Sequence, residues 1–373
     1  MGNRKHPPLY SVSQRFGGCT VSLKDHLRHR PATKKITVFL CALLVSLSAA
    51  AHHSFAVYDK SKVVEVEGTL MEFSWSNPHV RFKLRSVDSQ HKETVWDIES
   101  SSLSILRRTD ATPDNLRVGD RVKIAAWPTR QSSNKLFVLN VLTANNRELV
   151  LNPGSPTRWT TTAAAGTKTT WFTEGTEQSA QTEHSIFRVW STALNDPHSS
   201  PTGLWPKEYP LTDKGRAAKA KWNPDVDSTQ VGCTPKGMPT IMEQPYPMEF
   251  VQKGDAILIR IEEHDTVRTL HMNAKAPNPM PPPQILGYSV AHWEGDTLVA
   301  TTSNISWPYF NSNGIPQSKA IEITERFTPS KDGSRLEYKA VATDANVFTK
   351  PVALEKHWVW RPEERVRPYD CRG

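Results

Sequence analysis

The chain has 373 residues, 37% of them hydrophobic and 23% charged, enough material for more than one core. Its formal net charge is +8, but residues 1–51 hold eight Lys/Arg and one acidic residue, so residues 52–373 stand close to neutrality. The basic excess therefore excludes a nucleic-acid footprint, which needs positive charge clustered on the folded part.

The first predicted element is an export signal. Lys34 and Lys35 form a positive start, Ile36 to Leu47 a mainly apolar run too short to span a bilayer comfortably, and Ala49-Ala50-Ala51 a small-residue cleavage site. Residues 1–51 read as leader and signal peptide, with cleavage near Ala51 and a periplasmic or secreted product that is not inserted in a membrane. Cys19 and Cys41 leave with the leader. Cys233 and Cys371 remain, and an even count in an oxidising compartment predicts one disulfide between them.

Residues 52–151 read as a β domain. In "VVEVEGTLMEFSW" (63–75), Val64, Val66 and Leu70 share one face, and Met71, Phe73 and Trp75 the other. A parity change after Gly68 predicts a bulged, bent strand. "HVRFKLR" (79–85) alternates with Val80, Phe82 and Leu84 inward. "TVWDIE" (94–99) follows, then a short helix over 100–108 with serines first and arginines last. "DRVKIAAW" (120–127) and "KLFVLNVLTA" (135–144) complete the set. This β-β-β-α-β-β order is that of an OB-like five-stranded barrel, with a β-sandwich as the alternative.

Residues 152–185, rich in Thr, Ala, Gly and Ser without periodicity, predict a flexible linker. Residues 186–373 predict an antiparallel β domain with a wrapping N-terminal segment. A Pro- and Trp-dense stretch to residue 247 contains one helix over 211–222, capped by Thr212. Hairpins then turn at Lys253-Gly254-Asp255, Glu294-Gly295-Asp296 and Lys331-Asp332-Gly333, before a last strand over 353–361. The fold class is all-β, the second domain an antiparallel barrel or sandwich.

"AHHSFAVYDKSKVVEVEGTLMEFSWSNPHVRFKL" (51–84), with Ala51 to Phe55, Gly68-Thr69 and Trp75 to His79, resembles a family of exported bacterial proteins of unknown function carrying an A-H-H-S-F…W-x-N-P-H signature. The second half, with "CTPKGMPTIMEQPYPMEF" and "GYSVAHWEGDTLV", is similar to a module of uncharacterised exported proteins. The resemblance implies location and fold, and no catalytic residues.

Three functions follow from the residues. The leading one is a binding protein for a small apolar or carboxylate-bearing ligand in the C-terminal domain. Glu263 and Arg268 face the inside of adjacent strands and would pair or anchor the ligand, beside Tyr288, Trp293 and Trp307. The second is a cofactor-independent hydrolase, lyase or isomerase using His271, His292 or His357 with Glu263 as acid and base. Isolated strand histidines are more often structural. The third is copper binding: a chain starting at His52, or at Ala51 with His53 third, offers amine and imidazole nitrogens, and His79 could join them. No G-x-S-x-G, H-E-x-x-H, C-x-x-C or Gly-rich phosphate loop is present. The outward row Arg81, Lys83 and Arg85 reads as a solvated face without aromatic platforms for nucleic acid.

Overall fold

The computed structural model describes residues 57–130, 134–166, 186–192, 204–227, 229, 232–362 and 364–372. The first five strands, β1 (Val64–Ser74), β2 (Arg81–Val87), β3 (Glu93–Glu99), β4 (Arg121–Pro128) and β5 (Lys135–Thr143), run in the order β3-β2-β1-β4-β5. Parallel pairing of Asp97–Glu99 with Lys135–Phe137 closes them into a barrel, the strand order of an OB fold. A sixth strand, β6 (Glu148–Val150), adds to β5.

Alternation explains the barrel. Val80, Phe82, Leu84, Ile98, Val122, Ile124, Leu136 and Val138 are all buried in one cluster. The bend in β1 comes slightly later than expected: Leu70 pairs with Leu84 and Glu72 with Lys83, so Met71 is the extra residue. Met71 is exposed, while Phe73 and Trp75 return to the core, so the three do not share a face. One inserted residue flips the parity, and Leu70 and Phe73 then serve the same interior. The helix is a single turn, Leu103–Leu106, capped by Ser102, whose Oγ accepts from Ile105 N.

Residues 152–166, read as the start of a linker, instead pack on this barrel. The buried carboxylate of Glu148 accepts the backbone N–H groups of Arg158 (2.7 Å), Trp159 (3.0 Å) and Thr160 (2.8 Å) and the hydroxyl of Thr160 (2.8 Å). Residues 167–185 lie outside the described residues.

The second barrel closes through nine strands: β7 (Val189–Ser191), β8 (Met248–Lys253), β9 (Ala256–Ile261), β10 (Thr266–Met272), β11 (Tyr288–Glu294), β12 (Thr297–Ser303), β13 (Glu322–Pro329), β14 (Arg335–Thr343) and β15 (Val352–Trp360), which returns to β7. Every pair is antiparallel except β10–β11. An odd number of strands cannot close with antiparallel pairs alone, so one parallel pair is required. The hairpin turns fall where the sequence predicts, with Gly254 and Gly295 at φ of 55° and 58° between two-residue strand ends. The helix is Asp213–Lys221, with Thr212 Oγ1 accepting from Gly215 N.

Rings fill the second barrel. Phe250–Phe327, Phe327–Tyr338 and Tyr338–Trp358 have centroids 5.4, 5.1 and 5.4 Å apart. Among them Arg268 and Glu325 form a buried ion pair, supported by Ser289, Thr302 and Tyr338.

A cleft between the two barrels as candidate functional site

Two anchors bring the barrels together. Arg108, after the first barrel's helix, is buried between Glu262 at the end of β9 and Glu364 of the C-terminal tail. The tail then crosses the junction. Arg367 N donates to Glu262 Oε2 at 3.2 Å and Tyr369 N to Asp265 Oδ1 at 3.1 Å, both on the second barrel. Asn77, from the W-S-N-P-H stretch of the first barrel, donates to Tyr369 O and accepts from Arg372 N through its own carbonyl at 2.9 Å. Asn77 Oδ1 also accepts from Ser104 N at 3.1 Å, so one buried amide joins strand entry, helix and tail. Cys371 is bonded to Cys233, as expected, which ties the tail to the segment 232–246.

That segment forms the deep wall of a cleft of about 580 Å³ lined from both barrels. Its path is set by close packing. Met238 N donates to Ile285 O at 2.9 Å, and Gln317 Nε2 donates to Met238 O at 2.9 Å. Gly237 presses against Trp307, where an added β carbon would stand 2.5 Å from that ring's Cβ. Beneath the wall, the buried amine of Lys356 donates to the carbonyls of Met242, Glu243 and Gln244 at 3.3, 3.2 and 3.0 Å. Three acceptors match the three N–H groups of an ammonium. Burial works against that charge and brings the Lys356 amine down to about 7.

The wall presents Lys236, Glu243, Gln244 and Tyr246, and the turn after β9 adds Glu263 and His264. Lys236 Nζ stands 2.8 Å from Glu263 Oε1. Burial opposes the Lys236 charge, and Glu263 more than offsets it, raising the amine above its ordinary range. Burial also raises the Glu243 carboxyl against the pull of Lys236 and Lys356. The Tyr246 ring packs on Tyr369 with centroids 5.7 Å apart, and burial followed by the Glu263 charge pushes its hydroxyl up to about 12. His264 takes a left-handed conformation (φ 55°) and packs on Tyr369 with centroids 4.7 Å apart. Burial holds its imidazole below the usual histidine range. Among the described residues, two buried wall atoms have no hydrogen-bond partner: Glu263 Oε2 and Gln244 Nε2. Gln244 Oε1 accepts from Tyr246 N at 2.6 Å, which turns the amide NH₂ away from that bond.

The residues singled out from sequence divide sharply. Glu263 lies in the cleft, outside the second barrel, because β9 ends at Ile261 and the chain turns. It does not pair with Arg268, whose guanidinium is engaged by Glu325, Ser289 and Thr302. Arg268 and Glu263 thus line different pockets, Arg268 sharing one with His271 and Tyr288 and Glu263 lining the cleft. Tyr288 stacks on His271 with centroids 4.5 Å apart, beside a separate groove of about 310 Å³. His292 is exposed against Glu294 at 3.1 Å, and His357 is buried opposite Glu337. His271, His292 and His357 therefore do not converge with Glu263: they occupy three strand positions, and none lines the cleft. Trp293 is half exposed near Phe187, and Trp307 is buried with Nε1 donating to Thr240 Oγ1 at 3.1 Å. His79 does line the cleft, with Nδ1 2.8 Å from Ser100 O. His52 and His53 lie outside the described residues, and among those described no three His, Cys, Asp or Glu side chains gather as a metal site.

Lys236, Glu243, Gln244, Tyr246, His264 and Tyr369 were not singled out from the sequence. For the first four the one signal was polar residues crowded into the proline-rich stretch "CTPKGMPTIMEQPYP", where no helix or strand period accounts for them; His264 and Tyr369 lie outside it.

No curated protein matches the chain. Residues 41–137, which end at the third residue of β5, match the sequence model of a family of unknown function (DUF6152).

Proposed function

We propose that this chain is an exported protein that binds a small polar molecule in the cleft between its barrels. Export is supported by the leader pattern and by the Cys233–Cys371 disulfide, a bond suited to an oxidising compartment. The observation that carries the binding reading is the cleft itself, about 580 Å³ and lined from both barrels, whose wall sets the Lys236–Glu263 pair beside Glu243 and Gln244. The cleft size falls in the range of small-molecule sites.

The test is thermal-shift screening of the full chain, purified with its leader removed, against small sugars, polyols, amides, amino acids and organic acids. Stabilising compounds whose effect disappears in Gln244→Glu and persists in Trp293→Ala support the cleft. Stabilisers indifferent to Gln244→Glu place the ligand elsewhere and overturn the proposal.

Acid–base chemistry in the same cleft is favoured by one observation: the Glu243 carboxyl, raised by burial, shares the wall with the Lys236–Glu263 pair. Turnover of a bound compound by the wild type, lost in Glu243→Gln with binding retained, would distinguish an enzyme from a binding protein.

A further inference from the structure

We propose that the first half of β10, from Val267 to Thr269 and apart from the cleft, is a docking edge for an extended segment of a partner polypeptide, added as a further strand. The phase of the ladder leaves that edge open. Met272 N donates to Asp255 O at 3.0 Å, and Thr266, Arg268 and Leu270 stand opposite Ile261, Ile259 and Ile257 of β9. Antiparallel bonding alternates, so these even-numbered residues turn their N–H and C=O groups to β9. Val267, Thr269 and His271 turn theirs the other way, to the β11 side. There β11 meets β10 only over Leu270–Met272, paired with Ser289–Ala291. Among the described residues, no hydrogen bond therefore reaches Val267 N–H, Val267 C=O or Thr269 N–H.

The segment that leads into β11 does not close the gap. Gly287 takes a left-handed conformation (φ 70°) and throws the incoming chain against β12, so closely that an added β carbon would stand 2.6 Å from Ser303 O. Before it, Gln284 is held to the end of β12: its N donates to Asn304 O at 3.4 Å and its O accepts from Ser306 N at 2.9 Å. Pro281 O accepts from Asn304 Nδ2 at 2.7 Å. Pro281 and Pro282 have no N–H to offer the slot. The result is the groove of about 310 Å³, with the bare half of β10 on one side and this proline wall on the other.

The open groups specify a backbone as the partner. They run donor, acceptor, donor over about 7 Å of strand. A peptide backbone offers acceptor, donor, acceptor at the same spacing, which is how strand addition supplies affinity. Edges that resist such pairing carry charged side chains or a proline. This one carries Val267, 50% exposed, and the exposed Thr269. A β-branched or apolar residue beside Val267 on the outer face covers that surface. The groove floor includes Arg268 and Ser289, bonded at 3.1 Å, and Glu325 takes the Arg268 charge, so the inward position suits a small uncharged side chain.

The experiment uses the disulfide-intact chain and has two parts. In the free chain, amide hydrogen exchange at Val267 and Thr269 should be about a hundredfold faster than at Arg268 and Leu270, which β9 holds. A phage-displayed library of random linear heptapeptides is then panned on the chain, and synthetic copies of the enriched sequences are titrated by calorimetry. Binding of one peptide per chain is expected, with the Val267 and Thr269 amides protected in the complex. Thr269→Pro removes one open N–H and no β9 bond, and Val267→Lys guards the edge with a charge at an exposed position; each should raise Kd about tenfold. Unfolding midpoints check both variants, and Val267→Lys decides the matter if the proline variant does not fold. The inference fails if Val267 and Thr269 are as protected in the free chain as their neighbours, or if no sequence is enriched. It fails equally if the peptides bind the variants as tightly as the wild type, or lose affinity only in Glu243→Gln, which would place them in the cleft.

Discussion

Arg108 of the first barrel holds Glu262 of the second by two parallel bonds, Nη2 to Oε2 at 2.9 Å and Nη1 to Oε1 at 3.3 Å. The same guanidinium reaches Glu364 of the tail at 2.8 Å, so one side chain fixes both barrels and the strap across them. Removing one member of a buried pair strands the other charge, at a cost of about 3–5 kcal/mol. Arg108→Leu should lower stability by that amount in urea unfolding and split a single calorimetric transition into two, one per barrel. An unchanged midpoint with one transition would show the clamp to be idle.

Arg268 and Glu325 pose the complementary case, a buried pair inside one barrel. Arg268→Met alone leaves Glu325 facing Thr302 and Tyr338 without its counterion, with an expected loss of about 3–5 kcal/mol. The double variant Arg268→Met/Glu325→Leu should recover much of that loss, because the desolvated charges go together. Denaturant midpoints of the two variants decide it: a double variant as damaged as the single would mean the pair is net stabilising.

Glu148 predicts an acid-sensitive step. Burial raises its carboxyl, and the donors from Arg158, Trp159 and Thr160 more than offset this, so it titrates below the ordinary 4.5. Folding therefore gains from its ionised form above pH 4.5, and the gain is lost as pH falls through the lowered folded value. Glu148→Gln places an NH₂ group among donors and should cost about 2–3 kcal/mol at pH 7. The gap between variant and wild type should narrow steadily below pH 4.5; a gap independent of pH would remove the carboxylate from the explanation.

The disulfide spans 138 residues of sequence, and closing so long a loop restricts the unfolded chain by about 5 kcal/mol in the chain-entropy account. Cys371→Ser should lose a large part of that. It should also raise hydrogen exchange at the Tyr369 and Arg372 amides, which are held by Asp265 and Asn77. Loss of stability with those amides still protected would mean that the tail is held without the bond.

The longer strands of both barrels were legible in the sequence because alternation is a local property, as Val80, Phe82 and Leu84 announce their face within seven residues, whereas the three-residue β6 and β7 were not. The turns at Gly254 and Gly295, the Thr212 cap and the pairing of two remaining cysteines were legible for the same reason, each resting on a few adjacent residues or on a count. What the sequence could not show is which elements face one another across the molecule. Arg268 reads as the partner of Glu263 until Glu325, on the far strand β13, is seen to hold it. Glu263 reads as a continuation of β9 until the chain turns after Ile261 and delivers it to Lys236. The cleft draws its lining from the loops of two barrels and a tail, separated by up to several hundred residues. No period or spacing encodes that meeting. It arises because Arg108, Asn77 and the Cys233–Cys371 bond close the junction, so the site exists only once the long-range contacts have formed.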